Sequence, residues 1–246
     1  MAGNTVYEGF EFIILYTILT MEERKIKVLL VNGSPRPNHN TGKALKAAMD
    51  GAKEAGADVE LVNLYTIKAL KGCYSCFQCQ KKGFSKVDPV CCIKDEAWPW
   101  LDKAREADVV IFGSSVYFGY PTGLLRAFIE RFLFPKYSYD SKVKLENPKN
   151  TACIFTMNCP RDFMDQMNYP ILLGYTTDGC KHVYGFGESL YICNTYQFDD
   201  YSQMQFDMVR EEDKRAYRDA HFQEDLDRAK ELGNRLVDEA RKRLNL

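Results

Sequence analysis

Residues 26–32, Ile-Lys-Val-Leu-Leu-Val-Asn, form a nearly unbroken run of β-branched residues and leucine that stops at Gly33. Such a run has no polar face to turn toward water, so it fits a parallel strand covered on both sides. The sequence beyond it has the same grammar. A polar, turn-rich loop leads into Leu45, Ala48, Met49 and Ala52, spaced i, i+3, i+4, i+7 as on a helix, and Gly56 ends the segment. Val59 to Leu64 and the stronger Ala107 to Ser114 follow as strands, then Thr151 to Met157, and a weaker fifth strand falls within Val183 to Cys193. Helices are expected near Asp95 to Glu106 and after Pro121, where Leu124, Phe128, Ile129 and Phe132 supply a buried stripe. A last helix runs from Phe222 to the end, with Leu226, Ala229, Leu232, Leu236, Val237 and Ala240 on one face. Strands alternating with helices predict an α/β fold, a doubly wound parallel sheet of five strands with helices on both faces.

Charge and cysteine content narrow the partners. In 246 residues, 33 Lys and Arg face 34 Asp and Glu, which leaves no basic surplus for a phosphate backbone and argues against nucleic acid. Nine cysteines, an odd number in a chain too long for a disulfide-stapled miniprotein, fit a reducing compartment and a cytoplasmic location. The apolar run Phe12 to Leu19 is about half a membrane span, and Glu8 and Glu11 precede it where a signal peptide carries basic residues, so it is expected neither to span nor to export. Residues 1–24 are read as an N-terminal extension, with an extra strand or helix packed on the body as the alternative, and 25–246 as one domain.

In an open α/β sheet, ligands sit beyond the carboxyl ends of the strands. The first loop there, Gly33-Ser34-Pro35-Arg36-Pro37-Asn38-His39-Asn40-Thr41-Gly42-Lys43, runs into a helix N-terminus, whose N–H groups and dipole make a phosphate cradle. It is no P-loop, because Pro37 and Ala44 stand where Gly and Ser or Thr are required, and it lacks the Gly-x-Gly-x-x-Gly of a dinucleotide site. An N-capped turn using Asn40 or Thr41 is the plainer alternative.

Gly-Ser-Pro-Arg followed by Asn-Thr directly after the first strand resembles the phosphate loop of flavodoxin-like NAD(P)H-dependent FMN reductases. The resemblance implies that Ser34, Arg36, Asn40 and Thr41 hold the FMN phosphate. His39 stands where the family usually has Gly, and His tolerates positive φ better than most residues. The second loop, Gly113-Ser114-Ser115-Val116-Tyr117-Phe118-Gly119, is similar to the family's Ser/Thr-Pro-x-Tyr-x-Gly, with Ser115 in place of Pro. By that resemblance Ser114, Ser115, Val116, Tyr117, Phe118 and Gly119 line the flavin ring. A turn whose Tyr117 and Phe118 only fill core is the competing reading.

Cys73-x-x-Cys76-x-x-Cys79, with Cys91-Cys92 after eleven further residues, can gather three thiolates on one metal and complete the set with a fourth. The segment resembles the iron-sulfur flavoproteins of the same superfamily, in which four cysteines follow the second strand and the last gap is usually shorter. On that resemblance Cys73, Cys76, Cys79 and Cys91 are the ligands, Cys91 preceding the Ile-Lys-Asp that commonly follows the fourth. A [4Fe-4S] cluster, zinc and metal-free thiols all remain open. Cys153, Cys159, Cys180 and Cys193 are read as structural. Thr195-Tyr196-Gln197-Phe198-Asp199-Asp200-Tyr201 also matches this branch of the family, its aromatics covering the flavin or another subunit, or packing as a surface loop.

The motifs extend over residues 26–135. The resemblance implies an FMN-dependent oxidoreductase of flavodoxin-like fold, taking hydride from NAD(P)H and passing electrons to a cluster, a protein acceptor, a quinone, a nitro compound or oxygen. No side chain is required as acid or base, since the flavin carries the chemistry. A homodimer or larger homo-oligomer is implied, with no membrane partner. A non-catalytic electron-transfer flavoprotein and a thiol-based metal or redox sensor are the other readings.

Overall fold

A computed structural model describes residues 24–84, 88–139, 147–205 and 208–246; the run Phe12 to Leu19 and all of the expected extension except Arg24 lie outside the described residues. Five strands, β1 (Lys27–Asn32), β2 (Asp58–Asn63), β3 (Val109–Tyr117), β4 (Asn150–Thr156) and β5 (Glu188–Ile192), pair in the order β2-β1-β3-β4-β5, all parallel. This is the flavodoxin-like order, with its switch point between β1 and β3. A sixth, two-residue strand, Tyr120–Pro121, returns antiparallel to β3, so the sheet has one more strand than expected.

The strands alternate their side chains between two apolar layers. Leu29, Val31, Val110 and Phe112 pack under α2 (Trp98–Glu106), α3 (Gly123–Leu133), α4 (Arg161–Gln166) and α5 (Tyr169–Tyr184). Val28, Leu30, Val109 and Ile111 pack under α1 (Asn40–Glu54) and α6 (Glu211–Leu244). All but the first residue of β1 are buried, as its unbroken apolar run requires. Pro121 does not open α3. It pairs with Val116, and Thr122 caps the helix by accepting a bond from Leu125 N. The buried stripe accordingly uses Leu125 in place of Leu124.

Three helices depart from the sequence expectation, the short α4 being one that no periodicity announced. α5 was not anticipated, because Gly174, Thr176, Thr177 and Gly179 weaken its propensity, although Pro170 in its first turn and Gly185 at φ 93° after its last are ordinary helix punctuation. α6 begins at Glu211, ahead of its apolar stripe, and Glu211, Glu212 and Asp213 complement the helix dipole there. Among the described residues no helix is long and apolar enough to cross a membrane.

α1 and α6 touch backbone to backbone. A Cβ at Gly51 would lie 1.9 Å from the Lys230 carbonyl oxygen, and one at Gly233 would lie 1.9 Å from that of Ala48. Gly51→Val must therefore push the helices apart and is expected to cost about 1–3 kcal/mol. In thermal unfolding the midpoint should fall by roughly 2–4 °C for each kcal/mol lost. An unchanged midpoint would mean that this contact is not tight.

Candidate functional site

Asn32, the last residue of β1, is 1% exposed and anchors the loop that follows. Its Nδ2 donates to Asn63 Oδ1 (2.9 Å) and Pro37 O (3.4 Å), and its Oδ1 accepts from Ser34 N (2.9 Å). Gly33 N donates to Gly113 O at 2.8 Å, which joins the ends of β1 and β3. Gly42 is the closest approach of all: a Cβ there would sit 1.6 Å from Pro37 O, so the loop lies against the first turn of α1. His39 precedes that helix at φ −88°, so the left-handed conformation that would excuse a glycine is not used. The His39 side chain does not cap α1, whose first N–H groups can serve as an anion cradle.

Ser34, Arg36, Asn40, Thr41, Ser115, Val116 and Tyr117 come together in one cleft, with Pro35, His39, Thr156, Met157, Thr195 and Gln197; the cleft and its mouth enclose about 460 Å³. Three residues expected there are not part of its lining. Ser114 is fully buried behind the wall, its Oγ accepting from Thr122 N at 2.9 Å. Phe118 and Gly119 form the tip of the hairpin, both at positive φ, with Phe118 93% exposed. Thr156 and Met157 were missed by the motifs, while Thr195 and Gln197 belong to the 195–201 stretch singled out in the sequence; all four sit at or just beyond the carboxyl ends of β4 and β5, where the fold puts ligands.

The far wall is tied to the phosphate-type loop. Arg36 donates to Gln197 O, Asn40 Nδ2 to Tyr196 O (2.8 Å), and the Thr41 and Thr156 hydroxyls meet at 2.7 Å. The aromatics of 196–201 pack on one another, Tyr196 against Tyr201 at 4.9 Å and Phe198 against Tyr201 at 5.0 Å. From this stretch Thr195 and Gln197 line the cleft and the aromatic residues do not. Burial, then the Arg36 charge, holds His39 below its ordinary pKa. Ser115 Oγ is buried in the wall and has no hydrogen-bond partner among the described residues. A buried hydroxyl left unpaired beside a cradle of N–H donors suits a ligand that is anionic at one end and carries hydrogen-bonding groups at the other.

The cysteine segment is pinned at both ends by α3. Arg131, 2% exposed, donates to Lys71 O and Ile93 O and forks onto both oxygens of Asp95 at 2.7 and 3.0 Å. Burial opposes ionisation of Asp95, but the Arg131 hydrogen bonds and charge prevail and hold its pKa below the ordinary value. Glu130 accepts from Cys73 N, and Gln80 Nε2 donates to Phe134 O. Between these ties Ser75 and Phe77 take left-handed backbone at φ 54°.

Cys73 is half-buried, Cys76 exposed, and Cys79 and Cys91 buried. The Cys91 sulfur neighbours Arg131, and its carbonyl accepts from Trp98 Nε1. Exposed Cys92 faces Cys76 within hydrogen-bond reach; partial burial, then that thiol, pushes its pKa up. Among the described residues no three His, Cys, Asp or Glu side chains converge closely enough to hold a metal, so Cys73, Cys76, Cys79 and Cys91 are not gathered as one ligand set. Cys153, Cys180 and Cys193 are buried and Cys159 half-buried.

An iron-sulfur flavoprotein of Methanocaldococcus jannaschii is 35% identical over 106 residues, 43% of this chain and 51% of that protein. One of Methanosarcina thermophila is 30% identical over 121 residues, 49% of this chain and 60% of that protein. The chain spans about half the length of the curated relatives it matches. Solved structures share the fold: an NAD(P)H:quinone oxidoreductase from Methanothermobacter marburgensis at TM-score 0.59 and 14% identity, covering 87% of this chain and 98% of the other. An azoreductase from Bacillus anthracis gives TM-score 0.60 at 18% identity, covering 85% and 99%. The family model of NADPH-dependent FMN reductase matches residues 26–146, the stretch that holds both loops of the cleft and the cysteine segment. Through those residues the chain is similar to the NADPH-dependent FMN reductase family.

Proposed function

We propose that the cleft binds FMN and that the chain is a flavin oxidoreductase taking electrons from NAD(P)H and delivering them to an acceptor. The observation that carries this reading is the pairing of the uncapped α1 N-terminus with the unpartnered Ser115 hydroxyl across one cleft. FMN, when bound, supplies hydride acceptance and onward electron delivery. The α1 N–H groups, Ser34, Arg36, Asn40 and Thr41 bind the phosphate; Ser115 offers a hydrogen bond to the ring, and Val116 and Tyr117 give it an apolar wall. The chain's part is to bind and orient, and no side chain is assigned a proton transfer. Among the described residues the cysteines as arranged do not fit a four-sulfur cluster. A second copy covering the open side of the cleft near Phe118 completes the reading, with the described residues acting as one domain.

Anaerobic titration of apoprotein with FMN, followed by NADH or NADPH, tests it: two resolved flavin bands should develop and then bleach with one nicotinamide. Failure to bind FMN at micromolar concentration, or bands that neither donor bleaches, would sink the proposal.

Ser115→Ala separates a ligand-binding hydroxyl from a structural one. Removing an unpaired buried hydroxyl should leave the apoprotein as stable or more so, while FMN affinity falls about 2- to 10-fold, the worth of one hydrogen bond of roughly 0.5–1.5 kcal/mol. A destabilised apoprotein with unchanged FMN affinity would contradict this assignment.

His39 makes binding proton-linked. Its pKa is low in the empty site, and a phosphate anion beside it favours the imidazolium, so the bound-state pKa is the higher of the two. The extra affinity is fully present below the empty-site pKa and lost as pH rises through the bound-state pKa. Relative to His39→Asn, which cancels the phosphate's own titration, wild-type affinity should climb as pH falls from about 7.5 toward 5.5. Parallel profiles for the two proteins would remove His39 from the site.

A further inference from the structure

The loops after β4 and β5 meet behind the cleft. Asn194 N donates to Cys159 O (2.7 Å), and Thr195 donates to Met157 O through both its N–H (3.0 Å) and its hydroxyl (3.1 Å). Into this seam the first turn of α6 sends Lys214, which is 3% exposed. Its ammonium donates to the Asn158 carbonyl and to Asn194 Oδ1, both neutral acceptors.

Among the described residues no carboxylate answers that charge. Glu211 is paired with Arg215 and Glu212 with Arg210, and among the described residues Lys214 forms no ion pair; the only ionisable group acting on it is the Cys159 thiol. Burial draws its pKa down to about 8, which still leaves it mostly charged at neutral pH. A buried cation without a counter-anion is costly, and a seam that needed only closing could be closed by a neutral donor.

Its position gives the charge a use. Asn158 follows Met157 and Asn194 precedes Thr195, and both of those residues line the cleft. β4 runs beside β3 with Thr156 opposite Ser115 as the last pair of their register, and Met157, the next residue, shares the cleft with Val116, in the segment assigned to the flavin ring. At 3.8 Å per residue the ammonium stands within about 10 Å of that wall.

Resting on the FMN reading above, we propose that Lys214 is a positioning residue: its fixed charge, seated behind the Met157 and Thr195 wall, favours reduced FMN over oxidised FMN and so raises the cofactor's reduction potential. The phosphate is common to both forms and cannot discriminate. Two-electron reduction leaves the ring more negative near neutral pH, and a cation behind the ring-side wall distinguishes the two.

The test compares Lys214→Gln, which keeps hydrogen-bond donors but drops the charge, with Lys214→Arg, which keeps the charge. Dissociation constants for oxidised and reduced FMN are measured anaerobically, together with the midpoint potential. Lys214→Gln should weaken reduced FMN roughly tenfold more than oxidised FMN, the size expected for one charge at this range in an intermediate dielectric. That ratio corresponds to a potential lower by about 30 mV for a two-electron couple. Lys214→Arg should stay close to wild type. Equal loss of affinity for the two forms, with the potential unchanged, would reduce Lys214 to a clasp between loops and overturn the proposal. Should Lys214→Gln fail to fold, the wild-type protein still decides, because bound FMN must then have a potential above that of free FMN, and a lower one overturns the idea. Wild-type apoprotein that binds neither form would instead bring down the FMN reading on which this rests.

Discussion

Everything at the cleft depends on how closely the carboxyl ends of β1 and β3 approach one another. Gly33 N bonds to Gly113 O, and neither position has room for a side chain: a Cβ at Gly33 would lie 2.6 Å from Leu125 Cβ, and one at Gly113 2.5 Å from Leu45 Cδ1. Thr122 then fastens both loops to α3, its Oγ1 donating to Gly33 O at 2.6 Å and its N to Ser114 Oγ at 2.9 Å. The switch point of the sheet is thus set by hydrogen bonds that also start a helix. That helix carries Glu130 and Arg131 near its other end, so one rigid rod spans the distance from the cleft to the cysteine segment.

The central strands could be read from residues because burial on both faces leaves an unbroken apolar run, as in β1 and β4. The phosphate-type loop could be read because its residues are consecutive. The opposite wall could be read only at the 195–201 stretch. Met157 and Thr195 come from different loops, and nothing in their spacing says they meet. Nor does the sequence distinguish Ser114, which supports the wall from behind, from Ser115, which forms it. α6 was shortened because its first turns are charged, and periodicity of apolar residues cannot see a turn held by Lys214.

Adjacent cysteines illustrate the same limit. Cys91 and Cys92 are interchangeable by spacing, yet neighbouring residues along an irregular chain turn opposite ways. Cys91 is drawn inward toward Arg131 and Trp98, while Cys92 stays outside facing Cys76. Arg131 itself carried no sequence signal, since an arginine beside Phe128, Ile129 and Phe132 looks like the solvated edge of a stripe. It is buried because two carbonyls and a carboxylate converge on its guanidinium and repay much of its lost hydration.

Because Arg131 grips the chain at Lys71 and again at Ile93 and Asp95, the stretch between is a closed ring whose ends are held independently of what it contains. Closure entropy grows only logarithmically, so doubling such a ring costs about 0.6 kcal/mol. Residues can then be inserted between the third and fourth cysteines, or removed, with little effect on the sheet. The clasp decouples the length of the segment from the survival of the fold, and leaves that length to drift with whatever the sulfurs are asked to do.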